Sequence, residues 1–173
     1  CVGSLHFSGL KRGQDIAETA REAGIEMWLG GLTTRKDPES GDIRFHNSAF
    51  RFDRRGDRDR RYDKIVLLPF GEFMPGRHLF PELTRKIQGV GNFYPGEDVV
   101  VFETEWAPFN FLICYEAIRH RYVRGGIRAG ADLLVNITYD AWFGDTSNPT
   151  QHLMLSAIQS AQYGVPLGRA PTT

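Results

Sequence analysis

The chain has 173 residues, of which 41% are hydrophobic, and this length and composition suit one domain with a sizeable core. Its 21 Lys and Arg residues balance its 21 Asp and Glu residues, so the overall charge recruits neither nucleic acid nor an anionic surface. No apolar run approaches the ~18 residues of a membrane span and no secretory signal pattern opens the sequence, so the chain as written is predicted to be soluble.

The first half of the sequence is predicted to contain one helix and three strands. In chain order these are a helix from Gln14 to Ala23 and strands from Ile25 to Leu32, from Phe45 to Phe52 and from Lys64 to Leu68. A polar loop with Pro38 and Gly41 joins the first two strands and indicates a hairpin. The charged run from Arg51 to Lys64 mixes aspartates with arginines, which favours a solvated loop over an anion-binding patch.

The middle of the sequence, from Phe70 to Gly96, is irregular and rich in Gly, Pro and aromatic residues. One or two helical turns are predicted around Glu82 to Ile87. The segment is too long for a simple connection, so it is a candidate functional loop.

The second half alternates strands with helices. The predicted elements are strands from Val99 to Phe102 and from Phe109 to Cys114, a helix from Ala117 to Ala129, a strand from Asp132 to Thr138 and a helix from Gln151 to Tyr163. Two uninterrupted apolar strands joined by a crossover helix form a βαβ unit with a covered sheet. The sequence therefore predicts an α/β fold.

Cys114 is a candidate nucleophile because of its position. Ligands of α/β sheets bind beyond the carboxyl ends of the strands, and Cys114 ends a strand just before a predicted helix, whose dipole would lower the pKa of the thiol. A buried cysteine that only fills the core is the alternative. Since two cysteines make a poor disulfide framework, Cys1 and Cys114 are predicted to be free thiols, and a disulfide between the two is the alternative.

A cysteine nucleophile needs a proton acceptor and a group that stabilises the oxyanion. The sequence offers five histidines, none within a local signature of a Cys-His protease: His6, His46, His78, His120 and His152. Lysine and glutamate are the other route. Lys64, Glu72 and Glu116 are the candidates, although each alone is more typical of a surface or ion-paired residue.

Three motifs in this order carry a family resemblance: YDKIVLLPFGEFMPG, FLICYE and LLVNITYDAWFG, the last followed by QH. From about Ile25 to Arg169 the chain resembles the nitrilase, or carbon-nitrogen hydrolase, superfamily. It is most similar to the periplasmic domain of the bacterial apolipoprotein N-acyltransferases. The resemblance implies an α-β-β-α sandwich with a Glu-Lys-Cys triad, here incomplete at both ends and forming one partial catalytic domain over residues 1–173.

The resemblance also implies roles for individual residues. Cys114 would take a fatty acyl chain from a phospholipid as a thioester, Lys64 would stabilise the oxyanion, and Glu72 would match a further essential glutamate. Tyr115 and Glu116 would orient the turn that carries the cysteine, and Asn47 would support the site. The acyl group would then pass to the α-amine of a lipoprotein's diacylglyceryl-cysteine, without a cofactor or metal.

The sequence departs from the family pattern in several places. The triad's glutamate base is missing, and Glu18 and Glu22 are predicted to be solvated on the first helix. We expect the base and membrane-spanning helices to lie before Cys1 in a longer parent chain, at the bacterial inner membrane with this domain facing the periplasm. Differences from the family whose effect the sequence leaves open are Tyr139, Gln159, Gln162 and the RAPTT end.

Aromatic residues near the predicted site suggest a place for the acyl chain. Phe73, Phe80, Trp142 and Phe143 could line a groove for it, although core packing is the ordinary alternative for each. Two other functions stay open at this level. One is a soluble amidase or nitrilase that uses the same triad, and the other is a non-catalytic domain that retains the fold.

Overall fold

The computed structural model describes residues 10–39, 41–76, 93–140 and 144–172. The elements follow in chain order as α1 (Leu10–Ala23), β1 (Met27–Lys36), β2 (Ile43–Phe52), β3 (Arg58–Asp63), β4 (Val101–Phe102), β5 (Phe109–Ile113), a 3-10 helix (Cys114–Ile118), α2 (His120–Arg128), β6 (Leu133–Tyr139), α3 (Asn148–Tyr163) and β7 (Leu167–Thr172).

The first sheet is antiparallel, with the strand order β1-β2-β3. Its first two strands form the predicted hairpin, with Lys36 opposite Ile43 next to the turn. One face of the sheet lies against α1, where Ala20 packs with Phe50 and Phe52. Ile16, Ala17 and Ala20 therefore lie on the surface by which α1 covers this sheet.

The second sheet has the order β4-β5-β6-β7. β4 is antiparallel to β5, whereas β5, β6 and β7 are parallel to one another. The helices between the parallel strands supply Val123 of α2 and Tyr163 of α3 to a cluster with Leu112 and Leu134. The predicted βαβ unit is confirmed, and its helices cover one face of this sheet.

The two sheets pack face to face. The buried cluster between them joins Ala49 and Tyr62 of the first sheet to Phe109, Phe111 and other residues of the second. Trp28 of β1 stacks on Phe109 of β5 with ring centroids 4.3 Å apart. With helices on both outer faces, the architecture is an α-β-β-α sandwich, which confirms the predicted α/β class.

The boundaries in the first half differ from the prediction around the charged run. Residues 64–68 lie outside any strand, and the strand is instead β3, inside the run expected to be a solvated loop. β3 lies at the edge of its sheet and buries Tyr62 while Arg58 and Arg60 are exposed. Edge strands tolerate charged side chains on their open side. The many charged residues of β3 therefore made it look like a loop in the sequence.

The second half also differs in two places. The predicted helix from Ala117 begins only at His120, after the 3-10 helix Cys114–Ile118. β7 was not predicted, although it pairs in parallel with β6 from Leu167 to Thr172. Pro171 argues against a strand by composition but is compatible with β7, the last strand of its sheet.

In the part of the chain that the structure describes, no helix has the length and apolar character that crossing a bilayer requires. The helical turns predicted around Glu82 to Ile87 lie outside the described residues.

Candidate active site

Cys114 occupies a sharp turn at the carboxyl end of β5. All five residues of β5 are buried, and Cys114 follows directly with φ of 51°, in the left-handed region. A non-glycine residue held there costs about 1–3 kcal/mol and persists only where its surroundings enforce it. Cys114 is 3% exposed. Because a short 3-10 helix follows rather than a long α-helix, the predicted helix-dipole effect on the thiol loses its basis.

The sulfur of Cys114 is part of a disulfide in this structure. The prediction of a free thiol at this position is therefore wrong for the state described. Cys1 lies outside the described residues. A nucleophilic role requires the reduced form of Cys114, because a thiolate is the attacking species.

Lys64 and Glu72 form a buried ion pair. Lys64 is 1% exposed, and its Nζ lies 2.6 Å from Glu72 Oε2. Asn47 Nδ2 donates to Oε1 of the same carboxylate at 3.0 Å, and the Leu68 amide donates to Oε2 at 2.8 Å. Burial opposes ionisation of Glu72, but the Lys64 charge, with hydrogen bonds from Lys64 and the Leu68 amide, helps to hold its pKa below the ordinary value.

Glu116 joins the Cys114 turn to the segment that follows Lys64. Its Oε2 accepts hydrogen bonds from the Ile113 amide at 2.8 Å and from the Tyr62 hydroxyl at 2.9 Å. Its Oε1 accepts from the amides of Ile65 and Val66 at 2.8 and 3.0 Å. Burial raises the pKa of Glu116, although the amide donors and Lys64 oppose the shift.

The structure thus brings the backbone next to Cys114 close to the backbone next to Lys64. Ile113 immediately precedes Cys114, Ile65 immediately follows Lys64, and both amides bind one carboxylate. Tyr115 lies at the rim, half-buried, and accepts a hydrogen bond from Arg119 Nη1 at 3.2 Å. The catalytic and supporting roles remain predictions, but five of the side chains involved are buried: Asn47, Lys64, Glu72, Cys114 and Glu116.

The predicted acyl-chain residues are only partly described. Phe73 is half-buried, on the turn that follows Glu72. Phe80, Trp142 and Phe143 lie outside the described residues. Glu18 and Glu22 are exposed on α1, as predicted.

Sequence reasoning missed several side chains around Cys114. Tyr62 binds Glu116, while Asn136 and His152 contact the Cys114 backbone carbonyl. His152 stood among five candidate proton acceptors, and its Nε2 lies 3.0 Å from that carbonyl oxygen. His152 is the histidine of the QH that follows the motif DAWFG. The sequence therefore pointed to this residue but did not reveal its contact with the Cys114 carbonyl.

Comparison with known proteins places these features in a family. The chain matches the family model described as carbon-nitrogen hydrolase over residues 13–173. The apolipoprotein N-acyltransferase of Geobacter metallireducens is 39% identical over 158 residues, which are 91% of this chain and 30% of that protein. The apolipoprotein N-acyltransferase of Bdellovibrio bacteriovorus is 36% identical over 146 residues, 80% of this chain and 27% of that protein. The chain therefore spans less than a third of the length of these relatives.

Solved structures share the fold at lower identity. An amidase from Nesterenkonia sp. AN1 superimposes with a TM-score of 0.64 at 19% identity, over 93% of this chain and 53% of that chain. A variant of that amidase, with the acetamide moiety of fluoroacetamide added covalently at its active-site cysteine, also gives 0.64 at 19% identity, over 93% of this chain and 52% of that chain. These likenesses establish the sandwich architecture.

Proposed function

The chain belongs to the carbon-nitrogen hydrolase family, and we propose that it carries the acyl-transfer site of an apolipoprotein N-acyltransferase. The relatives from Geobacter and Bdellovibrio, which bear that name, support this choice of activity. Cys114 is the nucleophile, Lys64 stabilises the oxyanion, and Glu72 holds the ammonium in place. A phospholipid is the acyl donor, and the amine of a diacylglyceryl-cysteine lipoprotein is the acceptor.

The observation that carries the proposal is the buried ammonium of Lys64, in a segment whose next residue, Ile65, is hydrogen bonded to Glu116 of the Cys114 turn. Such a charge costs desolvation energy, and its ion pair with Glu72 offsets that cost at 2.6 Å. An ammonium fixed in a water-poor site stabilises developing negative charge more strongly than the same group in water. A lysine that only stabilised the fold would be more typical of the surface.

The proposed reaction has two steps, formation of a thioester and transfer of the acyl group to an amine. The thiolate attacks the carbonyl carbon of the donor ester, a C–S bond forms, and the C–O bond breaks while the leaving alkoxide takes a proton. The lipoprotein amine then attacks the thioester, forms the amide C–N bond, loses a proton and releases the thiolate.

A general base must accept the thiol proton. Both oxygens of Glu116 accept two hydrogen bonds each, and Glu72 is occupied by Lys64, Asn47 and Leu68. We assign the base to a carboxylate outside the described residues. We assign binding of the acyl chain to Phe73, Phe80, Trp142 and Phe143, with the site on the periplasmic side of the bacterial inner membrane.

A trapping experiment tests the proposal. The native protein is reduced, mixed with a phospholipid that bears a labelled acyl chain, and analysed by mass spectrometry of the Cys114 peptide. We expect an acyl adduct on Cys114 that hydroxylamine removes and that Cys114→Ala lacks. Lys64→Met should slow adduct formation by about 10²–10³-fold, the cost of one lost oxyanion donor.

Lys36→Met is the matched control, since Lys36 is exposed on β1. Transfer of the label from Cys114 to a diacylglyceryl-cysteine peptide supports an acyltransferase. Release of the label to water alone would instead indicate an amidase-like hydrolase. Full acyl transfer by Cys114→Ala would contradict both.

A further inference from the structure

Two side chains hold the backbone carbonyl of Cys114. Asn136 Nδ2, from β6, donates to this oxygen at 3.3 Å and to the Leu112 carbonyl at 2.9 Å. His152 Nε2, from α3, lies 3.0 Å from the same Cys114 oxygen. Both side chains are buried, and a carbonyl oxygen has two lone pairs for two donors.

Arg169 decides which nitrogen of His152 carries the proton. Its Nη2 lies 3.0 Å from His152 Nδ1 and 2.6 Å from Asp140 Oδ2. A guanidinium only donates, so Nδ1 accepts, while the Cys114 carbonyl only accepts, so Nε2 carries the hydrogen. Asp140 Oδ1 lies 3.6 Å from Nδ1, beyond hydrogen-bond distance.

The charges that face His152 favour this neutral ring. Arg169 of β7 lies against Nδ1, and Asp140, which follows β6, neutralises Arg169 rather than His152. Burial, and then the Arg169 charge, lower the pKa of His152, although the Cys114 carbonyl and Asp140 oppose the shift. A proton added at Nδ1 would face the guanidinium directly.

The contact matters because Cys114 adopts the left-handed conformation. The direction of its carbonyl fixes the plane of the next peptide and, with it, the orientation of the turn from which the side chain projects. We propose that His152, oriented by Arg169, is a positioning residue that holds the Cys114 turn in its reactive conformation. This inference rests on the proposed function, in which Cys114 is the nucleophile. His152 acts through the backbone and does not serve as the base.

Substitution of His152 tests the kinetic consequence. The amide nitrogen of glutamine can replace Nε2 as a donor, whereas leucine has no donor. We expect His152→Leu to slow single-turnover acylation of Cys114 by about 10- to 100-fold with unchanged KM for the donor lipid, because small displacements of a nucleophile have effects of this size. His152→Gln should restore the rate to within about 3-fold of the native protein.

His120→Leu is the matched control, because His120 is exposed and contacts Tyr163 instead. Thermal melting of each variant separates loss of folding from loss of positioning. Equal rates for His152→Gln and His152→Leu, in variants that melt like the native protein, would overturn the proposal.

A second measurement does not depend on the lipid reaction. Nitrogen NMR of the native protein with labelled histidine should show His152 as the neutral tautomer protonated at Nε2 at pH 7.5, and Arg169→Met should weaken that preference because Nδ1 loses its hydrogen-bond donor. A ring protonated at Nδ1 would overturn the inference even if acylation occurs. Absence of any Cys114 adduct would defeat the proposed function, and the tautomer would then decide whether the carbonyl contact exists as described.

Discussion

At the scale of single residues, the described part of the site contains buried charges with partners on neighbouring segments. Lys64 faces Glu72, and Glu116 accepts four hydrogen bonds from three parts of the chain. A buried ion that loses its partner keeps its desolvation cost and loses the compensation. The contributions of Lys64 and Glu72 to the stability of the fold are therefore coupled. Replacing one of the two is expected to destabilise the protein more than replacing both.

The first prediction concerns Lys64→Met. We expect the free energy of unfolding to fall by about 3–5 kcal/mol at pH 7, because Glu72 is left charged and buried without its partner. Urea denaturation at several pH values measures the loss. The loss should shrink as pH falls toward about 4, because protonation of Glu72 then removes the uncompensated charge.

Replacing both partners provides the control. Lys64→Met combined with Glu72→Gln removes both charges and should cost less than Lys64→Met alone at pH 7. The ion pair in the native protein also predicts how the free energy of unfolding depends on pH. Since the pKa of Glu72 is held low, its contribution is present above the unfolded value of 4.5 and is lost as pH falls further. Equal costs for the single and double variants would contradict the coupling.

At the scale of elements, the predicted boundaries were most accurate for strands that are buried along most of their length. β5 and β6 are apolar runs, and their parallel pairing was predicted with ends correct to within one residue. α2 begins three residues later than predicted and contains Gly125 and Gly126 in its interior. Glycine destabilises the interior of a helix because it loses more backbone entropy on folding than other residues. Packing must therefore explain why at least one of these two glycines is present.

The second prediction separates these adjacent glycines. A Cβ on Gly126 would lie 2.5 Å from Asn110 Oδ1, whose side chain is buried in β5, whereas a Cβ on Gly125 would make an ordinary 3.6 Å contact with Val99 Cγ2. We expect Gly126→Ala to lower the free energy of unfolding by about 1–3 kcal/mol. Gly125→Ala should raise it by about 0.5–1 kcal/mol through helix propensity. Denaturation midpoints of the two variants give the comparison, and shifts of the same sign would be inconsistent with it.

At the scale of the whole molecule, the sandwich buries histidine side chains in both of its halves. His46 on β2 and His152 on α3 are both buried, in different halves of the fold. Burial is the main cause that lowers the pKa of each, although Asp63 opposes the shift at His46. The folded molecule therefore binds protons at these rings less readily than the unfolded chain does.

The third prediction is the resulting acid sensitivity. Above the unfolded histidine pKa of about 6.5 both rings are neutral in either state, and the free energy of unfolding is unaffected by them. As pH falls below that value, stability should decline by up to about 1.4 kcal/mol per pH unit for each histidine, because the unfolded state takes up more protons. Denaturation of the native protein and of the double variant His46→Gln, His152→Gln between pH 7.5 and 5.5 measures this slope. An identical slope in both would show that other groups are responsible.

The sequence by itself determined the class of fold, the βαβ order and the family motifs that single out Lys64, Glu72 and Cys114. Those features depend on local periodicity and residue type, which a one-dimensional pattern records. Tertiary structure alone decided that the charged run contains an edge strand, that residues 169–172 belong to a parallel strand, and that Asn136 and His152 meet at one carbonyl oxygen. Such contacts join residues 22 and 38 positions apart, and the distance between them is set by how sheets and helices pack, which no local pattern encodes.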